Sequence, residues 1–187
     1  KFAELSFKVG AETFIGLGSR TEYGTSPGFC NAAISPLIGN DIYSKSKIET
    51  GIALKEIGTR FGCQTHWARV FQAFGPIEKA ERFVPELITK LQQNENFLIR
   101  TPNYKMDWIH TSDIASAIIY ALENNLNHFV DIGTGVGTSV RELSELICKE
   151  LDLDKSRLDF TEQMPSHEKT AVVEPNTQLL SHGWKPT

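Results

Sequence analysis

A chain of 187 residues with 40% hydrophobic and 22% charged side chains can bury a sizeable core, and its composition is that of a globular protein rather than a disordered or fibrous one. The net charge of −4, without any run of basic residues interleaved with aromatics, argues against nucleic acid or an anionic membrane as a partner. The three cysteines, Cys30, Cys63 and Cys148, are far apart and form no Cys-x-x-Cys pair, so they read as reduced, mostly buried thiols of a cytoplasmic protein.

In chain order, "KFAELSFKVG" reads as the tail of a helix, as though the chain opened inside a domain. "ETFIGLG" (12–18) is a short apolar run ending in glycines, the pattern of a buried strand. A loop over about 21–40 carries Pro27, Gly28, Pro36 and Gly39. A helix is expected over 41–61, with Ile48, Ile52 and Ile57 on its apolar side and Gly62 as its stop. "THWARVFQAFG" then reads as one strand, "RFVPELITKLQQ" as a short helix and "NFLIRTPNYKMDWIH" as a stretch of strand character. "SDIASAIIYALENN" is helical, with Ser112 as the expected cap and Asp113 favourable in the first turn. "HFVDIGTG" is a further strand and "TSVRELSELICKELDL" an amphipathic helix. From about Asp159 the chain turns polar and proline-containing, and an irregular segment is expected there. Strands alternating with helices predict an α/β fold with a mainly parallel sheet.

"GTGVGTS" (133–139) imitates a phosphate-binding glycine loop, because it follows a strand and opens a helix. It lacks the third glycine at the required spacing and has no acidic residue on a paired strand. A tight turn followed by a capping box between Ser139 and Glu142 accounts for it. Asp107, His110 and Asp113 have suggestive spacing but no supporting Cys or Glu cluster, so no metal is expected, and His66, His128, His167 and His182 are scattered. Trp67, Trp108 and Trp184 are assigned to the core or the lobe interface rather than to stacking on a base.

"IYSKSK" (42–47) sets Tyr43 four residues before Lys47 at the start of a helix, which places both on one face. A phenol is a weak acid near neutral pH, and an adjacent ammonium favours the phenolate, so the pair suits proton transfer to and from a hydroxyl. Ser19, directly after the "IGLG" strand, would place a hydroxyl at the C-terminal edge of a parallel sheet, where ligands collect. A Tyr-x-x-x-Lys match alone decides nothing.

Together, "FIGLGSRTEYG", "YSKSK", "RVFQAFGP", "ERFVPELI", "DWIHTSDIASAI" and "FVDIGTGVGTSVREL" resemble, in order and over nearly the whole chain, the extended short-chain dehydrogenase/reductases, and within them the NAD-dependent epimerase/dehydratase group acting on nucleotide sugars. The resemblance implies the later part of a Rossmann-type sheet over 1–75 with a further strand near 128–133. It also implies a small mixed substrate lobe from 76–127 and 134–187. Ser19, Tyr43 and Lys47 would form the catalytic and cofactor-binding set, with NAD or NADP as cofactor. Phe71 would line the nicotinamide pocket, and Gln72, Arg82 and Phe83 would contact substrate. A homodimer through the 41–61 helix is implied as well.

Two departures narrow the chemistry. Arg20-Thr21 stands where sugar 4,6-dehydratases carry an Asp-Glu pair, and an arginine cannot supply the acid for eliminating water. Met106 stands where many members carry a pyrophosphate-binding Arg, leaving Lys105, Arg82 or Arg100 for that contact. The activity implied is therefore a nucleotide-sugar 4-epimerase or 4-ketoreductase. The family's Gly-x-x-Gly-x-x-Gly element is not in this sequence, so the chain is expected to be the C-terminal portion of a longer enzyme. Alternatives are a non-catalytic sugar-nucleotide-binding protein lacking the cofactor half, or a reductase of a non-sugar ketone.

Overall fold

The computed structural model describes residues 1–25, 27–161, 170–175 and 177–187. Their elements run α1 (Phe2–Lys8), β1 (Thr13–Ser19), a 3-10 turn (Arg20–Tyr23), β2 (Gly28–Cys30), α2 (Ile42–Phe61), β3 (Gln64–Val70) and β4 (Gln72–Phe74). They continue with α3 (Phe83–Gln92), β5 (Phe97–Ile99), β6 (Lys105–His110), α4 (Thr111–Glu123), β7 (Phe129–Ile132) and β8 (Gly137–Ser139). The remainder are α5 (Val140–Glu150), a second 3-10 turn (Lys155–Arg157), β9 (Leu158–Phe160), β10 (Thr170–Val173) and α6 (Gln178–Ser181).

The fold is α/β. Three parallel strands in the order β1-β3-β7 form the first sheet, and α2 is the crossover that parallel neighbours β1 and β3 require. A second sheet runs β2-β10-β6-β4, with β8 added antiparallel to β6, and β5 pairs with β9. The reading of 65–75 as one strand meets a break at Phe71, whose amide donates to Ile132 O at 3.0 Å. Beyond it the chain changes sheets, and Gln72 pairs with Trp108.

β1 is only half-buried rather than buried, because among the described residues it has a strand partner on one side alone. Its glycines serve the opposite purpose to flexibility. A Cβ at Gly16 or Gly18 would come within 2.5 Å of the Trp67 indole, and one at Gly51 of α2 within 2.9 Å. The three therefore let α2 and β1 close around a buried tryptophan. The face that α2 turns inward is Ser44, Gly51, Leu54 and Gly58, whereas Ile52 points outward. The helix is capped by Asp41, which accepts from the Ser44 amide at 2.7 Å, and it ends at Gly62 with φ 65°.

Helix α4 starts at Thr111, and the cap is His110, whose Nδ1 accepts from the Ser112 amide; Ser112 itself lies inside the first turn. Asp113 accepts instead from the amide and hydroxyl of Thr187. Through Ala117 and Ala121, α4 packs on Ala68, Val130 and Ile132 of the first sheet, together with Leu179 and Trp184. A separate core joins α3, α5, β5 and β9 through Leu87, Leu91, Ile99, Trp108, Val140 and Leu158. The segment expected to be irregular contains β9 and β10, and β10 is central in the second sheet. Three apolar residues, Ala171 to Val173, are too short a run to show a period. His167 lies outside the described residues.

Candidate active site

The C-terminal ends of β1 and β3 lie side by side, with Ser19 opposite Val70 and Phe71 immediately after it. Helix α2 brings Lys47 to this edge. Its ammonium donates to Leu17 O at 2.8 Å and lies 5.7 Å from the centre of the Tyr43 ring. One lysine thus joins the strand that ends in Ser19 to the helix that carries Tyr43. Tyr43 is 54% exposed, and its phenol has no hydrogen-bond partner among the described residues, so the group is free to meet a ligand.

Ser19 caps the 3-10 turn that follows it. Its Oγ accepts from the Thr21 amide at 3.3 Å and from Thr21 Oγ1 at 3.0 Å, while its own amide donates to Glu22 Oε1 at 2.9 Å. The cap uses the acceptor capacity of the hydroxyl and leaves its proton to donate. Glu22 is fully buried and also takes hydrogen bonds from Trp67 Nε1 at 3.0 Å and from Arg69 Nε at 2.7 Å. Arg69 reaches Tyr23 Oη at 3.2 Å, and that phenol donates to Asp131 Oδ1 at 2.7 Å.

This buried chain anchors the turn that presents Ser19, and it was not anticipated from the sequence. Its visible signals are single charges flanked by apolar residues in strands, Arg69 between Ala68 and Val70 and Asp131 between Val130 and Ile132, because a buried charge needs a partner. Burial, followed by the Asp131 charge, pushes the Tyr23 phenol up and the nearby Cys30 thiol up to about 12. Both stay protonated across the physiological range.

The other expected site residues lie further along. Phe71 is buried against Tyr23, Cys30 and Val173, and Gln72 is half-buried at the start of β4. Arg82 precedes α3, pairs with Glu78 at 3.2 Å and lines a cavity of about 470 Å³ with Phe74, Pro76, Ile77, Lys79 and Thr111. The Phe83 ring packs edge-on to Phe97 at 5.7 Å and beside Trp108 at 5.9 Å, in the second core. The geometry gathers Ser19, Tyr43 and Lys47 at one corner, with Phe71 at the same sheet edge; Arg82 and Phe83 belong to a different cavity and core.

The glycine-rich loop after β7 already holds an anion of the protein's own. Buried Asp107 accepts from the amides of Thr134 at 2.7 Å, Gly135 at 2.9 Å and Val173 at 3.1 Å, and from Thr134 Oγ1 at 2.7 Å. Amides that would face a phosphate in a dinucleotide site therefore face a carboxylate, and the Ser139–Glu142 capping box follows directly. Burial, the largest influence, raises the Asp107 pKa against these hydrogen bonds. Among the described residues no group of three or more His, Cys, Asp or Glu side chains is placed to hold a metal.

A family model described as NAD dependent epimerase/dehydratase family matches residues 1–133. The chain belongs to that family. Its fold agrees: a UDP-glucose 4-epimerase from Thermotoga maritima, solved with UDP-glucose, superposes with a TM-score of 0.84 at 21% identity, covering 99% of this chain and 62% of that one. Among curated relatives, a low-salt glycan biosynthesis protein, Agl12, of Haloferax volcanii is 23% identical over 81% of this chain and 49% of its own length. A CDP-abequose synthase of Salmonella muenchen is 28% identical over 62% and 41% respectively. The chain spans about half the length of the curated relatives it matches. The family is described as NAD dependent, and the solved relatives share the Rossmann-type sheet; among the described residues no helix is long and apolar enough to cross a membrane.

Proposed function

We propose that this chain carries the acid/base centre and the substrate lobe of a nucleotide-sugar 4-epimerase or 4-ketoreductase. The observation that carries the reading is Lys47, held on Leu17 O and over the Tyr43 ring beside the strand end that presents Ser19. An ammonium spends one donor on that carbonyl and keeps two, which suit the ribose hydroxyls next to a nicotinamide. The residues present thus fit the nicotinamide end of the family's cofactor. Lys47, Tyr43 and Ser19 would hold that end, where the bound cofactor would supply the hydride acceptor and donor for the sugar carbon.

The chain's own part is the proton. Tyr43, as phenolate, accepts the sugar hydroxyl proton as the carbonyl forms, and as phenol it returns that proton when the carbonyl is reduced. Ser19 donates to the same oxygen and fixes its position. Arg82, in the second cavity, offers a guanidinium to the substrate's phosphates, with Gln72 proposed for the sugar-phosphate portion and Phe83 as a further substrate contact. Arg20 and Thr21 follow Ser19, which supports hydride exchange over loss of water. The relatives' printed activities, on CDP-, dTDP- and UDP-linked sugars, support the substrate class. Ile42 and Ile52, exposed on α2, support a homodimer through that helix.

Tyr43→Phe in the full-length enzyme tests the reading. Turnover is expected to fall at least roughly 10²-fold, while melting temperature and NAD affinity stay at wild-type values, because the exposed phenol holds nothing in the fold. Turnover near the wild-type rate overturns the assignment.

A further inference from the structure

Beside the Ser19 corner lies a cavity of about 390 Å³, lined by Arg20, Thr21, Thr25, Asn40, Asp41, Ser44, Thr101, Tyr104 and Gly24. It shares no lining residue with the Arg82 cavity. Its walls are hydroxyls and an amide, the groups that pair with sugar hydroxyls, and only two of its residues are charged. Asp41 is committed to the α2 cap, its carboxylate taking the Ser44 amide and hydroxyl, each at 2.7 Å. Arg20 is not committed. One Nη donates to Tyr104 Oη at 3.3 Å, and the guanidinium rests 5.9 Å from that ring's centre, while Tyr104 is itself held on Thr25 O at 2.9 Å. Among the described residues Arg20 has no carboxylate partner, in common with Arg100 and Arg141, whereas Arg60, Arg69, Arg82 and Arg157 each pair with one.

We propose that Arg20 is a specificity-determining residue and that the site selects a nucleotide sugar whose ring carries a carboxylate on carbon 5, a hexuronate. The inference rests on the epimerase or ketoreductase reading, in which Ser19 holds the oxygen on carbon 4. Carbon 5 is the next ring atom, and Arg20 is the next residue, at the head of a turn whose backbone is pinned by the buried Glu22. Tyr104 steadies the guanidinium from one side, so its remaining Nε and Nη donors form the fork that matches a carboxylate. A neutral hydroxymethyl group at that position would leave the cation unpaired, and the surrounding hydroxyls cannot neutralise it. The pyrophosphate is drawn to the other cavity, so the two anionic ends of such a substrate meet separate cations.

The test compares glucose and glucuronate esters of UDP and of dTDP, in binding by calorimetry and in turnover with NAD, on the full-length protein, its Arg20→Gln and Arg20→Lys variants and Tyr43→Phe. For the nucleotide the enzyme accepts, the glucuronate ester is expected to bind at least ~10-fold more tightly than the glucose ester, as a charged hydrogen-bonded pair predicts. Arg20→Gln should erase that preference by weakening the glucuronate ester alone, and Arg20→Lys should keep part of it. A wild type that treats both esters alike, or an Arg20→Gln variant that weakens both equally, overturns the proposal while leaving the Tyr43 reading standing. If none of the esters binds, the enzyme reading falls and this proposal falls with it. If the esters bind as expected but Tyr43→Phe turns over normally, the catalytic assignment fails and the carboxylate preference is retained.

Discussion

Glu22, Arg69 and Asp131 place one cation between two carboxylates in the interior, joined through Tyr23. Burial pushes the Asp131 carboxyl up to about 6, against the opposing pull of the Tyr23 hydroxyl and Arg69. A carboxyl whose pKa is higher folded than unfolded favours the folded state most when protonated. Its contribution therefore falls as pH rises from about 4 to about 6, and is constant above that. Asp131→Asn, which keeps an oxygen for the Tyr23 hydroxyl, is expected to be more stable than wild type at pH 7 by about 1–3 kcal/mol, with the advantage vanishing near pH 4. Urea unfolding of both proteins from pH 4 to 8 gives the difference curve. That curve is the diagnostic, because Asp107 shifts in the same sense while Asp41 and Glu142 shift in the opposite one. Arg69→Met should do the reverse, costing about 3–5 kcal/mol, since it strands two buried carboxylates. A loss below 1 kcal/mol in the same urea experiment would mean that water reaches the cluster.

Helix α2 illustrates how an element can be located correctly and its face partly misjudged. Asp41 and Gly62 mark its ends in the sequence, and Ile57 packs on the Leu54 and Trp67 core as expected, yet Ile52 points outward and the isoleucines do not make the closest contacts. Ser44, Gly51 and Gly58 do, because Trp67 and Thr65 occupy the space that side chains would take. Gly51→Ala would gain about 1 kcal/mol of helix propensity, but its Cβ would press on an indole already confined by Gly16, Gly18 and the Glu22 hydrogen bond. Overpacking of this kind costs about 1–3 kcal/mol, so the variant is expected to melt lower than wild type, and a higher melting temperature would show that the indole can shift. The order of strands and helices was readable from composition and punctuation. The break at Phe71 and the strands at 28–30, 137–139 and 170–173 were not, since each depends on a partner more distant than any sequence window, and neither was the cap at His110.

At the scale of the molecule, the outer edge of β1 is unpaired among the described residues, and Phe2, Leu5, Val9 and Leu17 are exposed. A row of free strand amides and carbonyls beside apolar side chains is a template for association. The 187-residue polypeptide by itself is expected to sediment above monomer mass, with the Leu5→Glu, Leu17→Lys double variant shifting toward monomer. A monodisperse wild-type monomer would contradict this.

From the sequence alone came the α/β class, the family, the proposal that Ser19, Tyr43 and Lys47 act together, and the exclusion of 133–139 as a phosphate loop. These depend on residue types at short spacings and on motif order, which local chemistry preserves. Tertiary structure decided the rest. Lys47 joining Tyr43 to Leu17, Glu22 with Arg69, Asp107 closing the 134–135 turn onto β10 and Arg20 left without a counter-ion all involve residues dozens of positions apart, or the lack of such a partner. Burial of a charge is a property of what surrounds it in space, and a linear pattern does not record which distant group arrives to neutralise it.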